Sequence, residues 1–382
     1  MPNLDWSIDH NSIYLNHGSF GPPPDVVRNK QLELQSECNS QPMNFYLRRL
    51  EPLWFAARNR LADFLGCSAD NLIFSENATA SMNHVANFFP LKKGDEVLLN
   101  DHEYGVVKRI WERKCKEKEA IYREAKLPES IESASQVVEA MEQEVSDRTK
   151  LIVVSHITSP TAITLPIEPI ISMAKSRGIA ICIDGPHAPI QVPLNLDQLA
   201  PDFYVASCHK WLSAPLGTGF TYVAEPWQPL AAEPLLISWG RLRPAPIEHW
   251  SDHHIWCGTR DYSGYLSIPT AIDAFEELGI EQVRSRNHQL AQYARNCLTV
   301  ALSTRPLVPD DPAWYSMMAA VWLPTGNHNT LQHRLWKNHH IEVTIVYFGD
   351  KYQVRVTCHL YNTMEQIDTL VNALRIELTN QG

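Results

Sequence analysis

The chain lacks the marks of an exported, membrane-spanning or nucleic-acid-binding protein. No apolar run reaches the about 18 residues that span a bilayer, and the opening MPNLDWSIDHNSIYLN carries charges where a signal peptide is apolar. Acidic residues number 43 against 33 lysines and arginines, and this net charge of −10 disfavours nucleic acid and anionic membrane. The one dense basic stretch, residues 108–126, interleaves Glu with Lys and Arg, which predicts a solvated helix face. These features predict a cytoplasmic protein with small-molecule partners.

Paired cysteines and spaced metal ligands are also missing. The eight cysteines are scattered without a Cys-x-x-Cys pair, which favours reduced thiols over a disulfide framework or a zinc knuckle. Among the 16 histidines, the neighbours His253–His254 and His339–His340 keep a metal-dependent hydrolase open as an alternative. Neighbouring residues on a strand point to opposite faces, and a helical pair needs four-residue spacing, so we predict no metal site.

Short apolar runs alternate with helical patterns over the first 225 residues. Helical periodicity is clear at 79–89 and at 168–178, which ends on a glycine. Alternation of this kind indicates a doubly wound, mainly parallel α/β sheet with helices on both faces and right-handed crossovers. The strand candidates are residues 71–74, 96–100, 150–156, 179–185, 203–207 and 220–223.

The amino-acid composition changes after residue 225. Residues 225–260 are rich in proline and aromatic residues, which is typical of loops that delimit a domain. A last helix should begin at Thr363, because Gln366 follows at capping-box spacing. Other helices are predicted at 268–278 and 281–302, and strands at 317–324, 341–348 and 352–361. We therefore predict an N-terminal segment (1–20) lining the active site, a large domain (21–260) and a smaller α+β domain (261–382).

Polar side chains cluster where three of the predicted strands end. Ser155 and His156 end one strand, Asp184 closes a second and Ser207 closes a third, and Lys210 follows Ser207 by three residues. Ligands of open α/β sheets bind at the carboxyl ends of the strands. An aspartate there is as often a helix cap, and a lone lysine is usually a surface residue. Their convergence on one edge nevertheless indicates a reactive site.

Pyridoxal phosphate requires this combination of groups. It needs a lysine amine to bond to its aldehyde and an acid beside its ring nitrogen, which keeps the ring an effective electron sink. Its phosphate needs an anion site, and the segment FSENATASMN (74–83) supplies a strand, a turn and then Ala78 and Thr79 at a helix start. Free N–H groups and the helix dipole favour an anion there. The sequence therefore predicts pyridoxal 5'-phosphate as the cofactor.

These residues resemble the class V aminotransferases of fold type I, which bind pyridoxal phosphate as homodimers with active sites at the interface. The resemblance covers almost the full chain and is most specific in SCHKWLSAPLGTG and IDGPHA. It implies a fold type I PLP-dependent transferase-like fold. The roles it implies are Lys210 as the Schiff-base lysine, Asp184 at the pyridine nitrogen, His187 at the ring hydroxyl, Tyr104 stacked on the ring, Thr79, Ser207 and His209 at the phosphate, and Thr259 at the phosphate from the partner subunit. Ser159 departs from the pattern, because the desulfurases of the family usually have an asparagine there, near the ring oxygen.

Arg355, in VRVTCHLYNT, matches the arginine that holds the substrate α-carboxylate, which implies an amino acid substrate. The stretches YLNHGSFGPPP, SHITSPTAITLP and IEVTIV look most like the isopenicillin-N epimerase branch of the family. In that branch Asn16, His17 and Gly18 would line the substrate entrance. Residues 326–354 contain no cysteine, which disfavours the persulfide chemistry of the cysteine desulfurases in this family.

The resulting expectation is an enzyme in which Lys210 removes the α-proton of an amino acid. Return of the proton on the opposite face gives an epimerase or racemase, with His17 and Tyr104 as candidate acids. Loss of a β-substituent would give a C–S lyase, and protonation of the cofactor an aminotransferase. We expect the epimerase first and keep these two as alternatives, with a metal hydrolase or a non-catalytic binding protein behind them.

Overall fold

The computed structural model describes residues 4–242 and 246–379. Residues 1–3 of the predicted N-terminal segment and residues 243–245 of the proline-rich stretch lie outside the described residues. The strands within these ranges are β1 (Ile13–Tyr14), β2 (Leu72–Ser75), β3 (Glu96–Asn100), β4 (Ile121–Ala125), β5 (Thr149–Ser155), β6 (Ala180–Asp184), β7 (Phe203–Ser207), β8 (Gly219–Val223), β9 (Met318–Trp322), β10 (Ile341–Glu342), β11 (Thr344–Phe348) and β12 (Lys351–Thr357).

Helices separate most of these strands along the chain. The α-helices are α1 (Asp25–Ser40), α2 (Pro42–Asn44), α3 (Leu50–Leu65), α4 (Ala78–Phe88), α5 (Gly105–Lys118), α6 (Ala134–Gln143), α7 (Ile167–Ser176), α8 (Leu196–Leu199), α9 (Gln228–Ala231), α10 (Ser263–Leu266), α11 (Ile268–Leu278), α12 (Ile280–Ala301), α13 (Leu331–His339) and α14 (Met364–Thr379). A π-helical turn, Phe45–Arg49, joins α2 to α3. No helix among the described residues is long and apolar enough to cross a membrane.

Seven strands form the central sheet, in the order β2-β8-β7-β6-β5-β3-β4. Strand β8 runs antiparallel to both of its neighbours, and the other pairs are parallel. The predicted mainly parallel α/β fold is confirmed. All six strand candidates of this region correspond to strands of this sheet, because their Val- and Ile-rich runs satisfy a strand that is buried on both faces.

Alternate residues of the central strands enter two different cores. Ile152 and Ile181 pack into the cluster on one face of the sheet, whereas Leu151 and Cys182 pack into the cluster on the other. The period of two along each strand sends neighbours to opposite faces, so both faces need apolar residues. Helices cover both faces, and polar side chains are left for the strand ends.

A smaller sheet lies in the C-terminal part, with the order β11-β12-β9 and antiparallel pairing. The prediction of one strand over 341–348 was wrong in one respect, because the chain changes partner at Val343. Residues of β10 pair in parallel with β1, and the residues of β11 pair with β12. Val343, between β10 and β11, is buried. The alternating sequence pattern of residues 341–348 does not show which strand each of the two segments pairs with.

The N-terminal segment is held by this small sheet. Through the β1–β10 pairing, Ile13 lies opposite Ile341, and Leu15 enters the core of the C-terminal part. The segment after it reaches the central sheet, where a Cβ on Gly21 would lie 2.6 Å from the carbonyl oxygen of Lys210. A glycine at this position therefore permits the close approach of the two segments.

Two further predictions are resolved by the structure. The capping box at the last helix is confirmed, since the N–H of Gln366 donates to Thr363 Oγ1 and the N–H of Thr363 donates to Gln366 Oε1. The prediction of a helix over 108–126 is wrong for its second half, because α5 ends at Lys118 and the next residues form the edge strand β4. An edge strand tolerates charged side chains, so the sequence of β4 lacks the apolar run that predicts a buried strand.

Candidate active site

The ends of three adjacent strands form one edge of a cavity of about 490 Å³. Strands β5 and β6 are in register, with Ser155 opposite Asp184, so their carboxyl ends lie side by side. Strand β7 ends next to them at Ser207. The predicted site residues that line this cavity are Gly18, Ala78, Thr79, Tyr104, Ser159, Asp184, His187, Ser207, His209, Lys210 and Arg355.

The amine of Lys210 contacts a histidine of fixed tautomer. Nζ of Lys210 lies 3.2 Å from Nε2 of His187, and the indole Nε1–H of Trp211 donates to Nδ1 of the same ring at 3.1 Å. Because an indole N–H only donates, Nδ1 must accept, and a neutral imidazole then carries its proton on Nε2. Burial holds the pKa of His187 well below its usual value, so the ring is neutral. The Nε2–H therefore points at Lys210, which accepts it as a free amine.

Electrostatics favour the free amine as well. Burial and the nearby guanidinium of Arg355 together lower the pKa of Lys210 to about 8, and the carboxylate of Asp184 opposes the shift. Burial likewise raises the pKa of Asp184 to about 7, against the effect of Lys210. A lysine whose amine is neutral near pH 8 is a competent nucleophile and base, unlike a solvated lysine.

Asp184 is a buried carboxylate to which no side chain or backbone N–H of the described chain donates a hydrogen bond. Its side chain forms no hydrogen bond within the described part of the chain, although the residue is only 3 % exposed. Buried charges are normally paired, so this carboxylate requires a donor from a bound molecule. A protonated ring nitrogen is such a donor.

An anion site forms where α4 begins. The N–H of Ala78 donates to Ser207 Oγ at 3.0 Å, which leaves the Ser207 proton free to donate into the cavity. The first-turn N–H of Thr79 has no acceptor among residues 4–242 and 246–379, because the cap Asn77 takes that of Ala80 instead. His209 contacts the carbonyl of Thr218 through Nδ1 at 3.2 Å, which leaves Nε2 for the cavity. These donors, with the helix dipole, suit a phosphate.

Arg355 is a buried cation without an acidic partner. Its Nη1 donates to the carbonyl oxygen of Ser159 at 2.5 Å, and its Nη2 donates to Ser19 Oγ at 3.0 Å. It forms no ion pair within the described residues, its Nε has no acceptor there, and only 4 % of the residue is exposed. Burial lowers its pKa to about 10, which still leaves it charged at neutral pH. A buried guanidinium of this kind is suited to an anionic ligand such as a carboxylate.

Three predicted site residues do not line the cavity. His17 is fully buried, with Nδ1 2.9 Å from the hydroxyl of Tyr361 and Nε2 3.0 Å from the carbonyl oxygen of Lys210. Asn16 accepts a hydrogen bond from the hydroxyl of Thr344, and this hydroxyl in turn accepts one from Arg355. Thr259 is exposed on its own chain and does not reach this cavity.

The structure adds two residues to the site that the sequence did not identify. One is Trp211, which fixes His187. The other is Glu103, a buried acid that accepts hydrogen bonds from the N–H of Ser155 at 2.8 Å and from its hydroxyl at 2.5 Å. Burial, with a contribution from Asp184, raises the pKa of Glu103 to about 8. Its position beside Tyr104, within NDHEYG, was the one available signal.

The histidine pairs have other roles in the described structure. His254 contacts the carbonyl of Ala231 at 3.0 Å, and His339 contacts Glu377 at 3.1 Å. No group of three or more His, Cys, Asp or Glu side chains within residues 4–242 and 246–379 is arranged to hold a metal ion. All eight cysteines are free thiols.

Comparisons with known proteins identify the family of the chain. The family model Aminotransferase class-V matches residues 23–370. The isopenicillin N epimerase of Amycolatopsis lactamdurans is 35% identical over 97% of this chain and 96% of its own length, and that of Streptomyces clavuligerus is 33% identical over 98% of each. The structure of the cystine C–S lyase C-DES with its product cysteine persulfide superposes with a TM-score of 0.84, at 19% identity over 96% of this chain and 98% of that one. This chain therefore belongs to the class V aminotransferase family.

Proposed function

We propose that this protein is a pyridoxal phosphate enzyme that inverts the Cα of an amino acid, as an epimerase or racemase. The names of the two isopenicillin N epimerases support the reaction type. One observation carries the proposal: the buried Arg355, without an acidic partner in the described chain, lines the same cavity as the amine of Lys210. A carboxylate on that guanidinium places an amino acid beside the base.

The residues of the cavity fit the cofactor. Lys210 would carry it covalently, the carboxylate of Asp184 would meet the ring nitrogen, and the Nε2–H of His187 would meet the ring hydroxyl. The phosphate would lie on the donors at the start of α4, which belong to Ala78, Thr79, Ser207 and His209. When bound, pyridoxal phosphate supplies the electron sink that makes an α-proton acidic.

Different side chains would bind the substrate and remove its α-proton. Arg355 holds the α-carboxylate with its planar guanidinium, which fixes the orientation of the substrate. Lys210 removes the α-proton on its own side, where a pKa of about 8 suits a base that works near neutral pH. Ser19 and Ser159, which hold the guanidinium, keep the carboxylate at one distance from that base.

Inversion requires a second group on the opposite side of Cα. Tyr104 is 45 % exposed and lines the cavity that also contains Lys210 and Arg355. His17, the other candidate, is buried with both ring nitrogens engaged. We therefore assign the opposite-face proton to Tyr104, which has a hydroxyl that donates and accepts.

The enzyme is proposed to work as a homodimer in the cytoplasm. Thr259 is exposed and lies next to Arg260, which pairs with Glu76 just ahead of α4. This position suits a contact made to the phosphate of a second subunit. The acidic charge balance supports small amino acid substrates over nucleic acid or membrane partners.

One experiment separates the possible reactions. The enzyme loaded with pyridoxal phosphate is incubated in deuterated water with a panel of L-amino acids, and NMR, chiral chromatography, and keto acid and sulfide assays follow the products. Deuterium at Cα together with the D-isomer supports the proposal. A keto acid that has lost its β-sulfur substituent, with release of sulfide or a thiol, identifies a C–S lyase, and a keto acid that keeps the whole side chain identifies an aminotransferase. Absence of exchange with every amino acid, despite a bound cofactor, would contradict all three.

A further inference from the structure

We infer that Glu103 is a positioning residue for the cofactor. Its carboxylate holds the hydroxyl of Ser155 away from Asp184, and so leaves the oxygens of Asp184 to the ring nitrogen. This inference rests on the proposed function, because it takes Asp184 as the partner of that nitrogen. It gives a role to a buried acid that does not line the cavity around Lys210 and that forms no ion pair within the described chain.

Ser155 and Asp184 lie side by side on one face of the central sheet. They are paired in the parallel register of β5 and β6, and neighbouring strands are about 4.8 Å apart. Val153 and Cys182, two residues earlier on each strand, pack in the same core cluster. The period of two along a strand therefore directs Ser155 and Asp184 to that face as well. The hydroxyl of Ser155 is thus a donor that a rotation can direct at Asp184.

Glu103 accepts both hydrogen bonds that Ser155 can donate. Its Oε1 accepts the N–H of Ser155 at 2.8 Å, and its Oε2 accepts the hydroxyl at 2.5 Å. Because a hydroxyl has one proton, a serine that donates to Glu103 has none left for Asp184. This explains why the carboxylate beside Ser155 receives no hydrogen bond from the described chain, although it is only 3 % exposed.

The turn after β3 determines which oxygen of Glu103 meets which donor. Oδ1 of Asn100 accepts the N–H of His102 at 2.9 Å, so the amide nitrogen of Asn100 faces Glu103 and donates to Oε1. Oε1 therefore receives two N–H donors, and both of its lone pairs are occupied. A carboxylate that accepts three hydrogen bonds is stabilised in its charged form.

A proton on Glu103 would reverse the direction of the Ser155 hydroxyl. The proton would have to lie on Oε2, the oxygen with a free lone pair, and would be donated to Ser155 Oγ. The serine proton would then be free to turn to Asp184. Glu103→Gln imposes this arrangement, because its carbonyl oxygen keeps the two N–H donors and its amide nitrogen replaces Oε2. A hydrogen bond to Asp184 favours its charged form, so Asp184 would hold the ring proton less strongly.

The test titrates the ring nitrogen of the bound cofactor. The enzyme is loaded with pyridoxal 5'-phosphate that carries isotopically labelled nitrogen in its ring, and nitrogen NMR follows the protonation of this atom as the pH is raised. No amino acid is present. Burial raises the pKa of Glu103 to about 8, so the titration runs above this pH, where Glu103 is a carboxylate. The midpoint in the wild-type enzyme is the reference.

Glu103→Gln should lower the midpoint by about half to one pH unit, the effect of one neutral hydrogen bond gained by Asp184. Adding Ser155→Ala to this variant removes the redirected donor and should recover more than about half of the shift. Ser155→Ala alone should keep the wild-type midpoint, because the hydroxyl does not donate to Asp184 in the native arrangement. Glu96→Gln is the matched control, since Glu96 is a fully buried acid at the other end of β3 that accepts the hydroxyl of Ser146 at 2.7 Å. It should match the wild type.

Three results would overturn the inference. One is an unchanged midpoint in Glu103→Gln. Another is a shift that persists in full after Ser155→Ala is added, because the lost charge of Glu103 would then be its cause. The third is a raised midpoint in Ser155→Ala alone, which would show that this hydroxyl already donates to Asp184. This last measurement leaves Glu103 intact, so it decides the matter even if Glu103→Gln does not fold.

Failure of this inference is distinguishable from failure of the proposed function. Asp184→Asn should lower the midpoint more than any other variant, and an unchanged midpoint there would refute both the contact with the ring nitrogen and the role of Glu103. Inversion of an amino acid by the wild type, with no shift in Glu103→Gln, would refute the inference alone. A shift that depends on Ser155, in an enzyme that inverts no amino acid, would support the inference and refute the proposed reaction.

Discussion

Nζ of Lys210 and Nε2 of His187 lie 3.2 Å apart, and the orientation of this contact is set by a third residue. Trp211 occupies Nδ1 of the imidazole as a hydrogen-bond donor, so the proton of the neutral ring must lie on Nε2. If Lys210 were an ammonium, its N–H would face the Nε2–H of His187, and neither group could accept a hydrogen bond. The arrangement therefore favours the free amine of Lys210 over its ammonium form, and the free amine is the form that attacks an aldehyde.

The pKa of Lys210 should appear in the pH dependence of cofactor capture. The folded pKa is about 8, below the ordinary value of 10.5, so the free amine becomes the main form as the pH rises through 8. The rate at which the cofactor-free enzyme captures pyridoxal phosphate should rise about tenfold per pH unit below 8 and level off above it. Stopped-flow absorbance measures this rate. A rate that still climbs at pH 10 would show a lysine of ordinary pKa.

Trp211→Phe tests the role assigned to the indole. Without its N–H, the His187 ring is free to place its proton on Nδ1 and to accept a hydrogen bond from an ammonium at Lys210. The midpoint of the capture profile should therefore move to higher pH, by about half to one unit. The exposed Trp336→Phe serves as the control and should leave the midpoint in place. A capture rate that drops equally at every pH would instead indicate a purely structural role for Trp211.

Arg355→Lys should weaken amino acid binding far more than it slows the chemical step. Lysine keeps the charge but loses the planar pair of N–H donors, and charge-assisted hydrogen bonds contribute about 1.5–3 kcal/mol each. We expect KM to rise about ten- to hundredfold with kcat within a few-fold of wild type. Ser19→Ala removes one neutral partner of the guanidinium and should raise KM only a few-fold. Unchanged KM in Arg355→Lys would exclude it as the carboxylate site.

Tyr104→Phe separates the two halves of an inversion. Lys210 should still remove and return the α-proton on its own side, so deuterium exchange with retained configuration should persist. Formation of the opposite enantiomer should fall by about 100-fold or more, the usual contribution of a positioned acid. The ratio of exchange to inversion, followed by NMR and chiral chromatography, gives the answer. Equal losses of both would assign Tyr104 to ring stacking or folding.

The sequence predicted the fold and the chemical core of the site because both are encoded locally. The central strands are recognisable from their apolar residues. Asp184 ends strand β6, and His187 and Lys210 lie in short motifs that directly follow strands. The contacts that complete the site join distant parts of the chain. Arg355 meets Ser19 across 336 positions, and His17 meets Tyr361 across 344. No local pattern records such pairings.

His17 was predicted at the substrate entrance because of its local sequence. It lies in a glycine-rich segment beside residues that do line the cavity, such as Gly18. In the folded chain its ring stacks on that of His359 at 3.8 Å, and burial lowers its pKa to about 3. A polar residue in a motif can thus contact a ligand only where its side chain lines the cavity, which the buried Asp184 and Arg355 do and His17 does not.

The most direct test of the account is the identity of the lysine that carries the cofactor. The enzyme loaded with pyridoxal phosphate is reduced with borohydride, digested, and mapped by mass spectrometry. The account predicts one phosphopyridoxyl group, on the peptide that contains Lys210, and no such group in Lys210→Ala. A stable adduct at another lysine, or one that survives in Lys210→Ala, would contradict it.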